Sequence, residues 1–356
     1  MKVPQQRALV RNLLAETDKY IELRKWGSAV ATAREAGLQA ERIGDFNGMF
    51  AAGTHLERFE DFSLAAHLLS VGGRLQVPSS LPEWDGSPLP GRTLLIIQRI
   101  RHIGSPIRLA RFLPQAALRA GRCIVIAEPR LVSLFGRSFP QLEVREDKGR
   151  GNAGGLPEAD VIASHETLWL RLAGDGAALV QQFTPLRPDP ALVELFRNKY
   201  GRGRPLIGIC WSSTNANKDL PGLADWAAFL SSLNATCVSL QYGNVAADVA
   251  ELHSLSGREV IHDDTVDSLT DIDTFSAQVA AMDAVVTISN TGAHLAGALG
   301  KPMIVILDDK NHLMWPVQGQ ETAWYPSARL VRRQARRWAD VFGDVRLELA
   351  QQVPNV

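Results

Sequence analysis

The run AVVTISNTGAHLAGALGKP at residues 284–302 predicts a buried strand that leads at once into a helix. Its first five residues are apolar and predict the strand, and a glycine and a proline predict the helix end. Three residues typical of helix caps lie between: Ser289, Asn290 and Thr291. A helix start at the carboxyl edge of a parallel strand is an anion-binding site. The alternative is a tightly packed helix with His294 as a satisfied core residue.

Strand and helix patterns alternate on both sides of this run, which predicts an α/β fold with two Rossmann-like, doubly wound parallel sheets. In the second half, strands are predicted at 206–211, 236–240, 284–288 and 303–307, with a last helix at about 334–352. The first half has predicted strands at 93–97, 122–126, 142–144 and 160–163. The predicted division is a helical region 1–76, a linker 77–91, an N-terminal domain 92–190 and a C-terminal domain 191–356.

The N-terminal region predicts helices with a weak repeat. The segment Leu23–Ala31 resembles Leu56–Leu64 at an offset of 33 residues, close to the tetratricopeptide period of 34. We expect a small helical cap docked on the rest of the chain. A repeat surface that binds a protein partner is the alternative.

Composition limits the classes of function. The 356 residues hold 38 Lys plus Arg and 38 Asp plus Glu, so the net charge is zero and a broad nucleic-acid surface is disfavoured. No apolar run is long enough to span a bilayer, and the polar start lacks a signal-peptide core. All three cysteines lie in apolar strand-like runs, which predicts buried thiols. We therefore expect a cytoplasmic protein that binds no nucleic acid.

Polar loops follow two predicted strands of the second half. The first carries Ser212, Ser213 and Lys218, the residue types of a phosphate-binding loop, although an exposed polar loop has the same composition. The second begins with Gln241 and Tyr242. Aromatic rings at Trp315 and Trp324 are candidates for stacking on a base or sugar, or for packing within surface loops.

These motifs resemble bacterial glycosyltransferases of the heptosyltransferase-like family 9, especially those fused to tetratricopeptide repeats, with a more distant likeness to O-linked N-acetylglucosamine transferases. The resemblance covers about residues 92–345 and is most specific around the 289–302 helix. It implies the GT-B fold, with a nucleotide-sugar donor bound by the second Rossmann-like domain. By that likeness the donor and its phosphates are bound by Ser212, Ser213, Lys218, Gln241, Tyr242, Ser289, Asn290, Thr291, Gly292 and His294.

The first domain departs from the family pattern. By the resemblance, the first domain should begin with a Gly-x-Gly-Asp-like loop that faces the acceptor, and its aspartate is a candidate base in heptosyltransferases. Here the corresponding loop carries Gly104 and Ser105, so a serine replaces the aspartate. Serine cannot act as a general base at neutral pH, so we take His102 as the candidate, because imidazole titrates near neutrality. A structural loop histidine is the alternative.

The predicted function is the metal-independent, inverting transfer of a sugar from a nucleotide sugar to a saccharide, lipid-linked or protein acceptor, without a cofactor. The Asp308-Asp309 pair is not expected to bind a metal ion. A catalytically degenerate protein that binds nucleotide sugars or a protein partner is the alternative, and a sugar-nucleotide epimerase is a third. Five arginines between 329 and 337 predict a basic helix face. This face is either solvated or in contact with anionic lipid or with phosphate, so a peripheral membrane position is an alternative to a purely cytoplasmic one.

Overall fold

The computed structural model describes residues 3–71, 80–98, 103–148, 156–172, 176–181, 183–215, 217–309 and 315–356. Four helices come first: α1 (Val3–Glu22), α2 (Trp26–Arg42), α3 (Phe46–Arg58) and α4 (Phe62–Val71). They pair as two helical hairpins, and each hairpin turn contains one left-handed residue, Arg24 or Glu60. The helix-turn-helix pattern is confirmed, but the two repeated segments are offset by more than the predicted 33 residues. Trp26 begins α2, and the residue that begins α4 in the same way is Phe62, not Phe59.

The helical region is docked on the rest of the chain, as the sequence predicted. Arg108 forms a 2.5 Å ion pair with Glu57 of α3, and the two side chains are largely buried. The ring of Phe62 packs edge-on against Trp324, with 6.0 Å between centroids. The backbone of Val317 donates to the carbonyl of Arg58 at 3.0 Å. These contacts fix the helices against both α/β units.

The first α/β unit holds one four-stranded parallel sheet in the order β3-β2-β1-β4. Its strands are β1 (Leu89–Ile97), β2 (Ala120–Ala127), β3 (Glu143–Glu146) and β4 (Val161–Ser164). Its helices are α5 (Gly104–Leu109), α6 (Leu113–Arg119), α7 (Val132–Ser138), α8 (His165–Leu172) and α9 (Gly176–Gln181). The first strand starts inside the segment predicted as a linker, because its register with β2 already begins at Leu89.

The second α/β unit holds a six-stranded parallel sheet in the order β10-β9-β8-β5-β6-β7. Its strands are β5 (Leu206–Cys210), β6 (Thr236–Ser239), β7 (Val260–Ile261), β8 (Ala284–Ile288), β9 (Met303–Leu307) and β10 (Ala328–Arg332). Its helices are α10 (Pro190–Tyr200), α11 (Leu223–Ser231), α12 (Ala246–Ser256), α13 (Ile272–Ala280), α14 (Thr291–Ala298) and α15 (Trp338–Gln352). The strand order reverses between β5 and β8, which is where such sheets bind ligands.

The basic run is not a helix face, which corrects the prediction. Arg329 and Arg332 lie on the edge strand β10, and α15 begins only at Trp338. The remaining arginines of the run lie in the intervening turn, where Arg336 forms a 2.7 Å ion pair with Asp344. The cysteine prediction is confirmed, since all three are free and buried. No helix in the described ranges is long and apolar enough to cross a membrane.

Candidate functional site

The site is built on the helix start that follows β8. Asn290 caps α14 by accepting a 3.0 Å hydrogen bond from the backbone N–H of Ala293, while its buried Nδ2 has no partner among the described residues. Helix α14 lies unusually close to its surroundings. A Cβ placed on Gly297 would sit 2.5 Å from the ring of Tyr325. Small residues therefore let this helix start lie at the carboxyl edge of the sheet, and a helix start in that position is a general anion-binding feature.

Lys218 joins the loop after β5 to the loop after β8. Its Nζ donates to Ser213 Oγ at 3.2 Å and also to the carbonyl oxygen of Ser289. The side chain is half-buried, and this burial lowers the pKa of its ammonium, while the charge of Asp308 acts in the opposite direction. The structure thus places a positive charge at the point where the strand order reverses.

Gln241 and Tyr242 shape the loop after β5. The Gln241 Oε1 atom accepts the backbone N–H groups of Trp211 at 2.9 Å and Ser212 at 2.8 Å. The Tyr242 hydroxyl oxygen accepts the backbone N–H of Thr214 at 2.8 Å. Both side chains therefore hold the conformation of the loop that carries Lys218. Gln241 is buried, and its contacts orient this loop.

His294 lies in the first turns of α14 inside an aromatic cluster. Its Nδ1 is 2.9 Å from the hydroxyl oxygen of Tyr325, within hydrogen-bond contact. Its ring stacks on Trp315 with 5.4 Å between centroids and 4° between planes. The indole Nε1 of Trp315 in turn donates to Ser289 Oγ at 2.8 Å. The cluster connects His294 to the same loop that Lys218 contacts, and burial raises the pKa of the Tyr325 hydroxyl.

Of the two alternatives for the aromatic candidates, the structure agrees with packing rather than with stacking on a ligand. Trp315 and Trp324 are only 1% and 2% exposed. Trp324 packs edge-on against Phe112 and Trp169, and the guanidinium of Arg108 lies 4.0 Å from its ring centroid. It therefore belongs to the junction between the helical region and the α/β units.

The first α/β unit contributes the start of α5, which packs against the start of α14. A Cβ on Gly104 would lie 3.3 Å from His294 Cδ2 and 3.8 Å from Thr291 Oγ1. Ser105 is 3% exposed. The candidate base His102 lies outside the described residues. The structure therefore brings Gly104 to the helix start with Ser289, Asn290, Thr291 and Gly292, while the position of His102 stays a prediction.

The two adjacent aspartates are engaged by neighbouring loops. Asp308 accepts the backbone N–H of Asp219 at 2.7 Å, and Asp309 accepts that of Ala335 at 2.9 and 3.1 Å. Across the part of the chain that the structure describes, no three His, Cys, Asp or Glu residues form a group that could hold a metal ion.

Sequence reasoning did not place Tyr325 beside His294 or Asp308 near Lys218. Tyr325 contacts His294 from a segment about 30 residues further along the chain. The charge of Asp308, in the loop after β9, acts to raise the pKa of Lys218, in the loop after β5. Tyr325 follows the aromatic candidate Trp324, and nothing in the spacing of these residues pairs them with α14.

Comparisons with known proteins agree with this geometry. Residues 179–341 match the family model of glycosyltransferase family 9 (heptosyltransferase). The chain is 29% identical over 304 residues to Protein FlbA of Caulobacter vibrioides, in an alignment that covers 78% of this chain and 49% of FlbA. The chain thus spans about half the length of that relative.

Two solved structures show the same fold. ADP-heptose lipopolysaccharide heptosyltransferase II of E. coli has a TM-score of 0.51 at 14% identity, covering 73% of this chain and 99% of its own. A family 9 glycosyl transferase from Veillonella parvula has a TM-score of 0.53 at 12% identity, covering 76% of this chain and 100% of its own. The two parallel sheets therefore form a GT-B fold, and the predicted fold class is confirmed.

Proposed function

We propose that this chain is a glycosyltransferase that moves a sugar from a nucleotide-sugar donor to a saccharide or protein acceptor. The observation that carries this proposal is the match of residues 179–341 to the family 9 model, combined with the site inside that segment. Both loops joined by Lys218, and the start of α14, fall within those residues. The likeness to the two heptosyltransferase-like structures supports the fold alone.

The donor diphosphate is assigned to Lys218 and the start of α14. A helix start provides backbone N–H groups and a partial positive charge, and a lysine adds a mobile full charge. The Asn290 Nδ2 atom, buried and without a partner in the described ranges, is a further donor for a phosphate oxygen. Burial lowers the pKa of Lys218, because its ammonium has lost part of its hydration. A bound anion would replace the lost hydration with a direct charge–charge contact.

The proposed reaction is a direct displacement with inversion. The acceptor hydroxyl oxygen forms a bond to the anomeric carbon, and the bond from that carbon to the diphosphate oxygen breaks. The nucleoside diphosphate leaves with the electron pair, and the hydroxyl proton passes to a general base, for which His102 is the candidate. Preorganised positive groups that face the leaving group lower the barrier to this step.

The reaction is proposed to proceed without a metal ion. Lys218 and the helix start supply the positive charge that a divalent cation supplies in other sites. The two adjacent aspartates already accept backbone N–H groups of neighbouring loops, so their carboxylates stabilise the loops around Lys218.

A second candidate is a catalytically degenerate protein that binds a nucleotide sugar without transferring it. The observation that favours it is Ser105, which stands where family members carry a candidate catalytic aspartate and which is almost fully buried. Such a protein would retain the Lys218 site and lack a base. Three further proposals concern what the chain binds: a protein partner for the helical region, a lipid-linked acceptor and a peripheral membrane position.

Turnover measurements on the purified chain test these alternatives. The donors are ADP, UDP, GDP and CMP sugars, and the readout is nucleotide release in the presence of EDTA. Lys218→Met should lower turnover by roughly a hundredfold, the typical loss when one preorganised group at a charged transition state is removed. The matched control is Lys19→Met, which removes an exposed lysine on α1. Undiminished turnover in Lys218→Met contradicts the phosphate assignment, and nucleotide binding without turnover favours the degenerate protein.

A further inference from the structure

The aromatic loop, residues 315–326, carries two side chains of the proposed donor site. Trp315 stacks on the ring of His294 and donates to Ser289 Oγ. The Tyr325 hydroxyl lies 2.9 Å from His294 Nδ1. Residues 315–326 contain neither a helix nor a strand. Since the loop lacks the hydrogen-bond ladder of regular structure, the position of its two rings depends on contacts with other segments.

The turn between α3 and α4 contacts the aromatic loop near both of its ends. The backbone N–H of Val317 donates to the carbonyl oxygen of Arg58 at 3.0 Å. The backbone N–H of Ala323 donates to the side-chain carboxylate of Glu60 at 3.0 Å. Each bonded loop residue lies two positions along the chain from one of the rings that contact His294. The helical region therefore holds the backbone of the loop beside both rings.

Side-chain packing adds a third contact between the helical region and the aromatic loop. The ring of Phe62, the first residue of α4, meets the ring of Trp324 edge-on with 6.0 Å between centroids. The guanidinium of Arg108 lies 4.0 Å from the centroid of Trp324, and Glu57 of α3 holds it by an ion pair of 2.5 Å. Because Trp324 directly precedes Tyr325, these contacts also restrict where the tyrosine ring can lie.

The first α/β unit holds the same loop through other atoms. Arg111 donates to the carbonyl oxygens of Ala323 at 3.2 Å and Trp324 at 2.5 Å. The turn of the helical region instead accepts backbone N–H groups of the loop, so substitutions can separate the two supports. Glu60 is the residue to change, because it is exposed and its removal leaves no charge buried without a partner.

We propose that the helical region is a working part of the donor site, in which Glu60 and Phe62 are positioning residues that hold the aromatic loop on His294 and Ser289. The carbonyl oxygen of Ser289 also accepts Lys218 Nζ, so the same contacts extend to the positive charge assigned to the diphosphate. A loop released by the turn would sample other positions, and the site would be less preorganised. This inference rests on the proposed function, since a donor must bind there.

Substitutions in the turn test this role in the full chain. Glu60→Ala removes the acceptor of the Ala323 N–H. Phe62→Leu keeps an apolar side chain and removes the ring edge that faces Trp324, and a double variant combines the two changes. Glu60→Gln keeps a side-chain carbonyl oxygen as acceptor and removes only the charge. Glu16→Ala removes an exposed glutamate from α1 and is the matched control.

Two measurements separate positioning of the site from stability of the fold. The first is the NMR signals of the His294 imidazole, assigned by their loss in His294→Gln, which report the surroundings of the histidine whether or not a nucleotide binds. The second is calorimetric affinity for ADP, UDP and GDP in the presence of EDTA. A thermal unfolding midpoint for each variant shows that the chain is folded at the temperature of both measurements.

The double variant should move the His294 signals and bind the diphosphate about tenfold more weakly, because a hydrogen bond and an aromatic contact are lost together. Glu60→Ala alone should move the signals in the same direction and weaken binding by about threefold. Glu60→Gln and Glu16→Ala should match the wild type in both measurements. If the double variant does not fold, Glu60→Ala carries the same test, since that residue is exposed.

Three results would overturn the proposal. One is a set of His294 signals that neither Glu60→Ala nor the double variant moves, because the loop would then be held without the turn. Another is moved signals with unchanged diphosphate affinity, which would separate the loop from the donor site. The third is an equal loss of affinity in Glu60→Gln and Glu60→Ala, which would assign the effect to charge.

Failure of the proposed function gives a different result. A wild-type chain that binds none of the three diphosphates contradicts the donor site itself. The imidazole signals then decide alone whether Glu60 and Phe62 position the aromatic loop, because that measurement needs no ligand.

Discussion

Replacing Gly297 by alanine tests whether the close packing of α14 positions His294. The added Cβ would lie 2.5 and 2.6 Å from two ring atoms of Tyr325 and 2.8 Å from Met303 Cε. Ordinary contact begins near 3.4 Å, so the tyrosine ring must retreat by roughly 1 Å. That ring carries the hydroxyl that lies 2.9 Å from His294 Nδ1. We therefore expect both a loss of stability and a displaced histidine.

The magnitude follows from two opposing effects. Overpacking a buried site costs about 1–3 kcal/mol, and alanine gains about 1 kcal/mol over glycine inside a helix. Because the clash involves ring atoms close to the Tyr325 backbone, we expect the upper end, with a net loss of about 2 kcal/mol. Gly343→Ala in α15 is the matched control, since nothing lies within 4 Å of its added Cβ. It should raise stability by about 1 kcal/mol.

Urea unfolding of both variants measures this difference, and nucleotide-sugar binding measures its effect on the site. The expected separation between the two variants is about 3 kcal/mol, with weaker donor binding only in Gly297→Ala. Equal stability of the two variants would refute the packing argument. Unchanged donor binding in a destabilised Gly297→Ala would refute the link from Tyr325 to the site.

Three further predictions concern single side chains. Gln241→Ala leaves one buried and one partly buried backbone N–H group of the β5 loop without their acceptor, so it should cost about 1–3 kcal/mol in urea unfolding and raise the donor KM, whereas Gln241→Glu should keep the acceptor and most of the stability. Tyr325→Phe removes the hydroxyl next to His294, so it should change the NMR chemical shifts of that imidazole and cost about 1 kcal/mol of stability; unchanged imidazole signals would contradict the contact. Burial lowers the pKa of His165 to about 4, below its unfolded value, so neutral His165 contributes its full stability above about pH 6.5. This contribution, on the order of 3 kcal/mol, is lost as the pH falls toward 4. His165→Phe should flatten the dependence of stability on pH in that window, and an unchanged slope would contradict this.

Local signals account for the parts of the fold that the sequence predicted well. The β8 strand, the Asn290 cap and the α14 helix lie within one chain segment, so apolar runs and cap residues are sufficient to locate them. Lys218 and Ser289 also follow predicted parallel strands, whose carboxyl ends meet at one edge of the sheet.

Edge strands and long-range contacts were beyond the sequence pattern. Strand β7 has only two residues, too few for a sequence pattern. The arginines of β10 have a spacing that also fits one face of a helix, and charged residues are common on edge strands. The contact of Tyr325 with His294 depends on how a loop after β9 folds back over α14, and no spacing rule reports that. The buried position of Arg58 likewise arises from docking of the helical region, which a charged residue at a helix end does not reveal.

Affinity for nucleoside diphosphates is the most direct test of the donor site. ADP, UDP and GDP are titrated calorimetrically into the wild-type chain, Lys218→Met and Lys19→Met, with EDTA present. At least one diphosphate should bind the wild-type and Lys19→Met proteins equally, and Lys218→Met should bind it at least tenfold more weakly, because a charge-assisted contact is removed. Equal affinity for wild type and Lys218→Met would contradict the donor site proposed at the β5–β8 reversal point.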